Sequence, residues 1–366
     1  MVTMQDVADR AGVALSTVSA TLNGSRPVAV ETRRRVEDAS AELGYSRNAL
    51  ARGLASRRSG ILALTYPVGE AGLSRTVTEF VQGAVDAARD HGRHLVLWPC
   101  AVDDGQSVTA VAREGLAEGV LVMEVHLHDA RVRALREAGV PVALVGRSDG
   151  ESDLPVVDID FDATLEEAVE HLVALGHRRI GFIDHAAARH EAGHGPTVRA
   201  AQAYRRAVGS RGIDAHVVLA EESVEGGRSA TRTLVAGPAR STALVVMNED
   251  AAFGVVAELS ERGLRVPQDV SVLSVVSSPA VAQLTVPPLT TLHAPGATLG
   301  RAGVEALLTL LDDGEVPAPV LVPCRLVDGA STAAAPADRP THDHPTAGDD
   351  RRPAGQHSRN LNEEDV

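Results

Sequence analysis

The chain has 366 residues, a 44% apolar share, 23% charge and only 2% aromatics. That balance is ordinary for a folded chain of two or three domains, with cores built on Val, Leu, Ile and Ala. It holds no run of about 18 uncharged apolar residues, so no membrane span is expected.

Net charge is −14, with all 35 basic residues Arg and no Lys. Taken whole, this argues against nucleic acid; its distribution argues the other way. Residues 1–60 hold nine Arg against six acids, +3, and the remainder carries −17. A DNA-binding module needs a local basic face rather than a basic whole. Cys100 and Cys324 lie far apart with no metal-ligand spacing, so reduced core thiols are expected and no metal or cofactor. The opening MVTMQDVADRAG has no apolar core of a signal peptide, which points to a cytoplasmic protein.

Thr3 with Asp6 three residues on predicts a capped helix over 4–11, its inner stripe Val7, Ala8 and Ala11. Gly12 supplies a turn. A second helix is expected over 15–22 with Val18 and Leu22 inward. A third spans 30–43 with Val36, Ala39 and Leu43 inward, and Gly44 stops it. The stretch 48–55 is a helical pattern too short to stand alone in water. From residue 61 apolar runs at 61–65, 95–98, 120–123, 142–145, 180–183, 243–247 and 270–276 alternate with amphipathic helical stretches. Continuous apolar strands between helices predict parallel sheets covered on both faces, an α/β class. Some 270 residues of this pattern is large for one sheet, so two lobes are expected. Residues 333–366 are polar, rich in Pro, Gly and Asp, and read as a disordered tail.

The stretch DVADRAGVALSTVSATLN, then VAVETRRRVEDASAELGY, then NALARGLASRR resembles the head and hinge of the lactose-repressor (LacI/GalR) family. LVALGHRRIGF (172–182), LRVPQDVSV (264–272) and PPLTTL (287–292) extend the resemblance to about residue 332. It implies a helix-turn-helix head (1–45), a hinge helix and linker (46–59) and a two-lobed body like a periplasmic binding protein (60–332). The lobes are expected at about 60–160 plus 291–318, and 161–290 plus 319–332.

The implied function is a sequence-specific transcriptional regulator, a repressor, binding a pseudo-palindromic operator as a homodimer. An effector-blind or activating regulator of the same family is the alternative, and a stand-alone small-molecule-binding protein a remoter one. By position in the family, Leu15, Ser16 and Ala20 face bases in the major groove, where base edges carry a distinguishing donor and acceptor code. Thr17, Ser19 and Asn23 fall at backbone-contact positions, with Thr3 and Asn48 beside them. Leu54 takes the place of the apolar wedge that enters the minor groove at the operator centre, and Ala51 and Ala55 are small enough for two hinge helices to pack. Position 20 is Ala where sugar-operon members often carry Arg, so a different operator is expected. Ala14 and Ala29 stand at helix starts where Ser is usual.

The body's resemblance places an effector between the lobes. Several usual pocket residues are replaced: Gly146 and Val276 stand for Asp, Ala200 for Arg, and the Asn-Asp pair is Asn248-Glu249. Arg147, Asp160, Arg199, Asn248 and Glu249 remain as candidate contacts. A hexose would leave hydroxyls unpaired at about 1–3 kcal/mol each, so an effector other than a typical hexose is expected. An enzyme reading has no nucleophile elbow, phosphate loop or clustered His and carboxylate pair to rest on.

Overall fold

The structure, a computed structural model, describes residues 2–23, 26–45, 59–67, 74–150, 153–236 and 240–337. The head is three helices: α1 (Met4–Ala11), α2 (Leu15–Asn23) and α3 (Val30–Glu42). Thr3 and Asp6 form the expected capping box. The Thr3 N–H donates to Asp6 Oδ2 at 2.7 Å, and the Asp6 N–H donates to Thr3 Oγ1 at 3.3 Å. Gly12 ends α1 at φ 63°, a left-handed position that costs Gly no steric penalty. Val7, Ala8, Ala11, Val18, Val36 and Ala39 form the small core, with Leu22 and Leu43 packed against it. Arg10 reaches Glu42 at 2.6 Å and ties α1 to α3. Ala29 starts α3 with no side-chain cap, as its methyl requires.

The body contains two six-stranded sheets. The first is built from β1 (Ile61–Tyr66), β2 (His94–Pro99), β3 (Gly119–Met123), β4 (Val142–Val145), β5 (Val156–Ile159) and β11 (Val320–Val322). Its order is β11-β5-β4-β3-β1-β2. The second holds β6 (Ile180–Asp184), β7 (His216–Leu219), β8 (Ala243–Val246), β9 (Ser271–Ser277), β10 (Thr290–His293) and β12 (Arg325–Val327), in order β12-β10-β9-β8-β6-β7. Every pairing is parallel except β10 with β12. Around the first sheet lie α4 (Arg75–Asp90), α5 (Gly105–Arg113), α6 (Ala130–Glu137) and α13 (Gly296–Asp313). Around the second lie α7 (Phe161–Ala174), α8 (Ala187–Glu191), α9 (Gly195–Gly209), α10 (Val224–Ala236), α11 (Glu249–Glu261) and α12 (Pro279–Ala282). Central strands such as β3, β4 and β8 are buried along their whole length, as strands covered on both faces must be.

The strands the sequence pattern missed are short or at edges: β5, β7, β10, β11 and β12, of three or four residues each. Two expected lobe boundaries are corrected. Residues 290–293 stay in the second sheet, because β10 pairs β9 in parallel before the chain crosses to α13. Residues 320–322 belong to the first sheet, paired with β5, and only β12 returns to the second. The hydrophobic pattern is the same on both sides of each crossing, so only pairing partners reveal it. The expected tail also begins too early. The Ala333 N–H donates to Ser271 Oγ at 3.1 Å and the Ala335 N–H to Leu175 O at 2.8 Å. Residues 338–366 lie outside the described residues.

Candidate nucleic-acid interface and inter-lobe cleft

On α2, Leu15 is 43% exposed and Ser16 is exposed, while Thr17 and Ser19 are half-buried. These four offer a polar face with one apolar residue. Ala20 does not join it. It is 3% exposed, and the neighbouring Thr21 is 5% exposed. Position 20 stands about 200° around the helix from Val18, so α2 is covered on a second face besides the one against α1 and α3. Asn23 ends the helix, its side chain outside the description, and Asn48, Ala51, Leu54 and Ala55 also lie outside the described residues. Thr3 is exposed, but its hydroxyl is engaged with Asp6 at 2.8 Å. Arg26 and Arg33 are exposed and have no ion-pair partner among the described residues. They were not singled out in the sequence, where only the net charge of the head pointed to them.

The lobes meet through the loops after their strand C-termini, where α/β sheets place ligands. One group joins two of the expected residues, Arg147 and Arg199, through Asp158. Arg147 Nε donates to Asp158 Oδ2 at 3.0 Å, and Arg199 Nη2 lies 3.1 Å from the same oxygen. Arg199 Nη1 also donates to the Arg147 carbonyl at 3.1 Å, and its guanidinium lies 5.7 Å from the Phe161 ring centroid. Burial pushes the Asp158 carboxyl up against the pull of Arg199 and Arg147. Asp160, next along, is spent as the cap of α7, its Oδ1 accepting from the Ala163 N–H at 3.0 Å. Gly146 sits at φ 124° with Val125 Cβ 3.0 Å from where its own Cβ would lie, so a side chain is disfavoured there on two counts.

A second group holds Asn248 and Glu249. Asn248 caps α11, its Oδ1 accepting from the Ala251 N–H at 2.8 Å. Glu249 Oε1 accepts from Thr76 Oγ1 at 2.8 Å, from the Ser278 N–H at 3.0 Å and from Ser277 Oγ at 3.4 Å. Thr76 opens α4 of the first lobe, so this carboxylate joins the lobes. Val276, before the two serines, has φ 53°. A β-branched residue rarely adopts that conformation, which costs of order 1–3 kcal/mol.

A third group was not read from the sequence. Glu124 follows β3 at φ 51°. The fully buried Arg131, paired with Asp129 at 2.8 Å, donates to the Met123 and Glu124 carbonyls at 3.0 and 3.1 Å and holds that turn. The Glu124 carboxylate crosses to the second lobe, where His194 Nε2 lies at 2.9 Å and Arg189 Nη1 at 3.2 Å. Arg189 also donates to Glu222 at 2.9 Å. Burial alone would raise the Glu124 carboxyl, but His194 and Arg189 outweigh it and bring it down to about 2. Burial lowers His194, against the pull of Glu124. The ionised carboxylate only accepts, so the neutral imidazole carries its proton on Nε2, leaving Nδ1 to accept from Thr197 Oγ1 at 2.7 Å. Backbone bonds run beside it: the Leu127 N–H to Gly193 O at 2.7 Å and the Gly195 N–H to Val125 O at 3.0 Å. A fourth contact sets Glu79 of α4 3.1 Å from His293 at the end of β10. No signal in the linear pattern marks these groups, since Glu124 and His194 are 70 residues apart.

A capped three-helix head with an exposed second-helix face, followed by two parallel sheets that meet at their strand ends, defines a DNA-reading regulator with a binding-protein body. Residues 3–48 match the bacterial regulatory proteins, lacI family, and residues 169–332 match the periplasmic binding protein-like domain. The transcriptional regulator MalR of Streptomyces coelicolor is 32% identical over 351 residues, covering 92% of this chain and 98% of that protein. The regulator AglR of Rhizobium meliloti is 28% identical, covering 93% and 96%. Among solved structures, the lac repressor dimer bound to operator and an anti-inducer has a TM-score of 0.77 at 25% identity, covering 91% of this chain and 99% of that one. The regulator CelR in complex with cellobiose has a TM-score of 0.68 at 27% identity, covering 90% and 100%. The chain belongs to the lacI family of bacterial transcriptional regulators.

Proposed function

We propose that this regulator represses transcription from the cytoplasm by binding a pseudo-palindromic operator as a homodimer. The observation that carries the reading is the capped head, with Leu15 and Ser16 standing open on α2. A helix presented in this way fits the major groove. Thr17, Ser19, Asn23 and Asn48 take phosphate-side roles, and Leu54, flanked by Ala51 and Ala55, enters the minor groove. Two exposed edges support a dimer: Val96 and Leu97 on β2 are 40% and 43% exposed, and Leu284 and Val286 are 57% and 89% exposed. Exposed apolar side chains of this kind are what a second copy can cover, and a two-fold dimer reads a two-fold operator.

The cleft is the effector site in this reading, with Arg147, Asp160, Arg199, Asn248 and Glu249 on its walls. Its ligand is not a typical hexose, since Asp160 and the Asn248 carbonyl are engaged in helix caps and Arg147 in a bond to Asp158. An effector-blind regulator is the second reading. It is favoured by the direct bridges that already span the lobes, among them Asp158–Arg199, Glu124–His194, Thr76–Glu249 and Glu79–His293.

Selection from a random duplex pool tests the function. The full chain should recover a pseudo-palindrome, and a chain starting at residue 59 should recover nothing. An asymmetric site, or the same site recovered by the truncated chain, would overturn the reading.

A further inference from the structure

We propose that the cleft's ligand carries a protonated amine beside a hydroxyl or carbonyl oxygen, held by Glu249 and Asn248; this rests on the reading of the cleft as an effector site. Glu124 has Arg189, with the His194 imidazole beside it, and Glu222 shares Arg189. Asp158 has Arg147 and Arg199, while Asp184 and Glu79 each face an imidazole, His190 at 2.8 Å and His293 at 3.1 Å. Glu249 bridges the lobes with no cation against it among the described residues. Its three donors are neutral, and all three meet Oε1. Among the described residues Oε2 accepts no hydrogen bond, and it is not one of the fully buried unpaired atoms.

The residue before it is built in the same way. Asn248 is 7% exposed. Its Oδ1 is fixed by the cap of α11, which also settles which amide atom is oxygen. Its Nδ2 has no partner among the described residues and is not one of the fully buried unpaired atoms. Two consecutive side chains each spend one atom on the fold and leave the other open: an acceptor-only carboxylate oxygen and a donor-only amide nitrogen. A hexose hydroxyl can meet either, but the carboxylate has already lost hydration, and burial raises its carboxyl against the three hydrogen bonds it receives. A cationic donor offsets that cost where a neutral hydroxyl does so only weakly. The neighbouring amide N–H₂ asks for an oxygen on the same ligand. Amino alcohols and amino sugars carry that pair.

Calorimetric titration of the full chain with D-glucosamine, D-galactosamine and ethanolamine tests this, each run beside D-glucose, D-galactose or ethylene glycol as its neutral counterpart. At least one amine should bind ten- to a hundredfold or so more tightly than its counterpart, the range expected of a charge-assisted hydrogen bond. Glu249→Gln should erase the preference. Asn248→Ser, which keeps a good helix cap, should weaken the amine and leave the preference over the counterpart in place. Equal binding of amine and counterpart, or a preference that survives Glu249→Gln, overturns the proposal. A neutral sugar bound tightly by the wild type and by Glu249→Gln alike sinks the amine class and leaves the effector site standing. Silence from all six compounds counts against both.

Discussion

Replacing Glu124 by Gln tests whether the lobes are held together by the bridge the structure shows. The carboxyl is drawn from its ordinary 4.5 to about 2. That difference corresponds to roughly 3 kcal/mol of stability in the ionised form. Gln keeps one acceptor oxygen, and Arg189 keeps Glu222 at 2.9 Å, so the expected loss is about 2 kcal/mol. For a body of this size that is a fall in melting temperature of roughly 4–8 °C. The sign with pH follows from linkage. A depressed carboxyl contributes its stability above the unfolded value of 4.5 and loses it as pH falls toward 2. The gap between wild type and variant should therefore be constant from about pH 8 to pH 5 and narrow below that. Thermal melts of the full chain followed by circular dichroism across this range decide it. A fall of less than about 1 °C at pH 7, or a gap that widens on acidification, would refute the bridge.

Two further changes probe the DNA-binding end. Leu54→Ala should weaken operator affinity strongly and leave random-duplex affinity nearly unchanged, because a wedge acts at a kinkable step while non-specific binding is phosphate electrostatics; equal losses in a filter-binding assay would show a merely structural residue. Ala29→Ser should add about 1 kcal/mol to the head by supplying the cap that α3 lacks. Hydrogen exchange of the α3 amides reads it, and unchanged protection would mean that the N-terminus of α3 does not limit the head's stability.

What the sequence made legible was what local rules govern. The Thr3–Asp6 cap, the Gly12 turn and the Val7, Val18, Val36 core follow from spacing over a few residues, and the structure has them. Long apolar strands such as β3 and β9 were legible for the same reason. Five strands of three or four residues were not: β5, β7, β10 and β12 carry a polar or charged residue, and three-residue β11 has no period of its own, whereas four-residue β4 and β8 are unbroken apolar runs. The sites divide in the same way. Asn248 and Asp160 were picked as ligand contacts by position along the chain, but each spends its carbonyl or carboxyl oxygen on a helix cap, a role that only three-dimensional geometry assigns. Glu124 was passed over because its partners are 65 and 70 residues away. Ala20 was placed toward bases by family position, and its burial depends on packing that a nine-residue pattern does not encode.

The bridges also determine what an effector could do. A ligand shifts the lobes only by its differential affinity for the two arrangements. Three of these contacts, Asp158–Arg199, Glu124–His194 and Glu79–His293, already set a carboxylate directly against a guanidinium or an imidazole. A ligand inserted there would have to replace bonds already made, and its net gain would be small. Thr76–Glu249 differs. Its carboxylate is bound to both lobes on one oxygen, and the other has no cation against it among the described residues. A cation arriving at Oε2 keeps the existing bonds and adds a new one. It is therefore the bridge at which binding energy can be gained in the closed arrangement without first breaking that arrangement, which is the condition for a ligand to bias lobe closure.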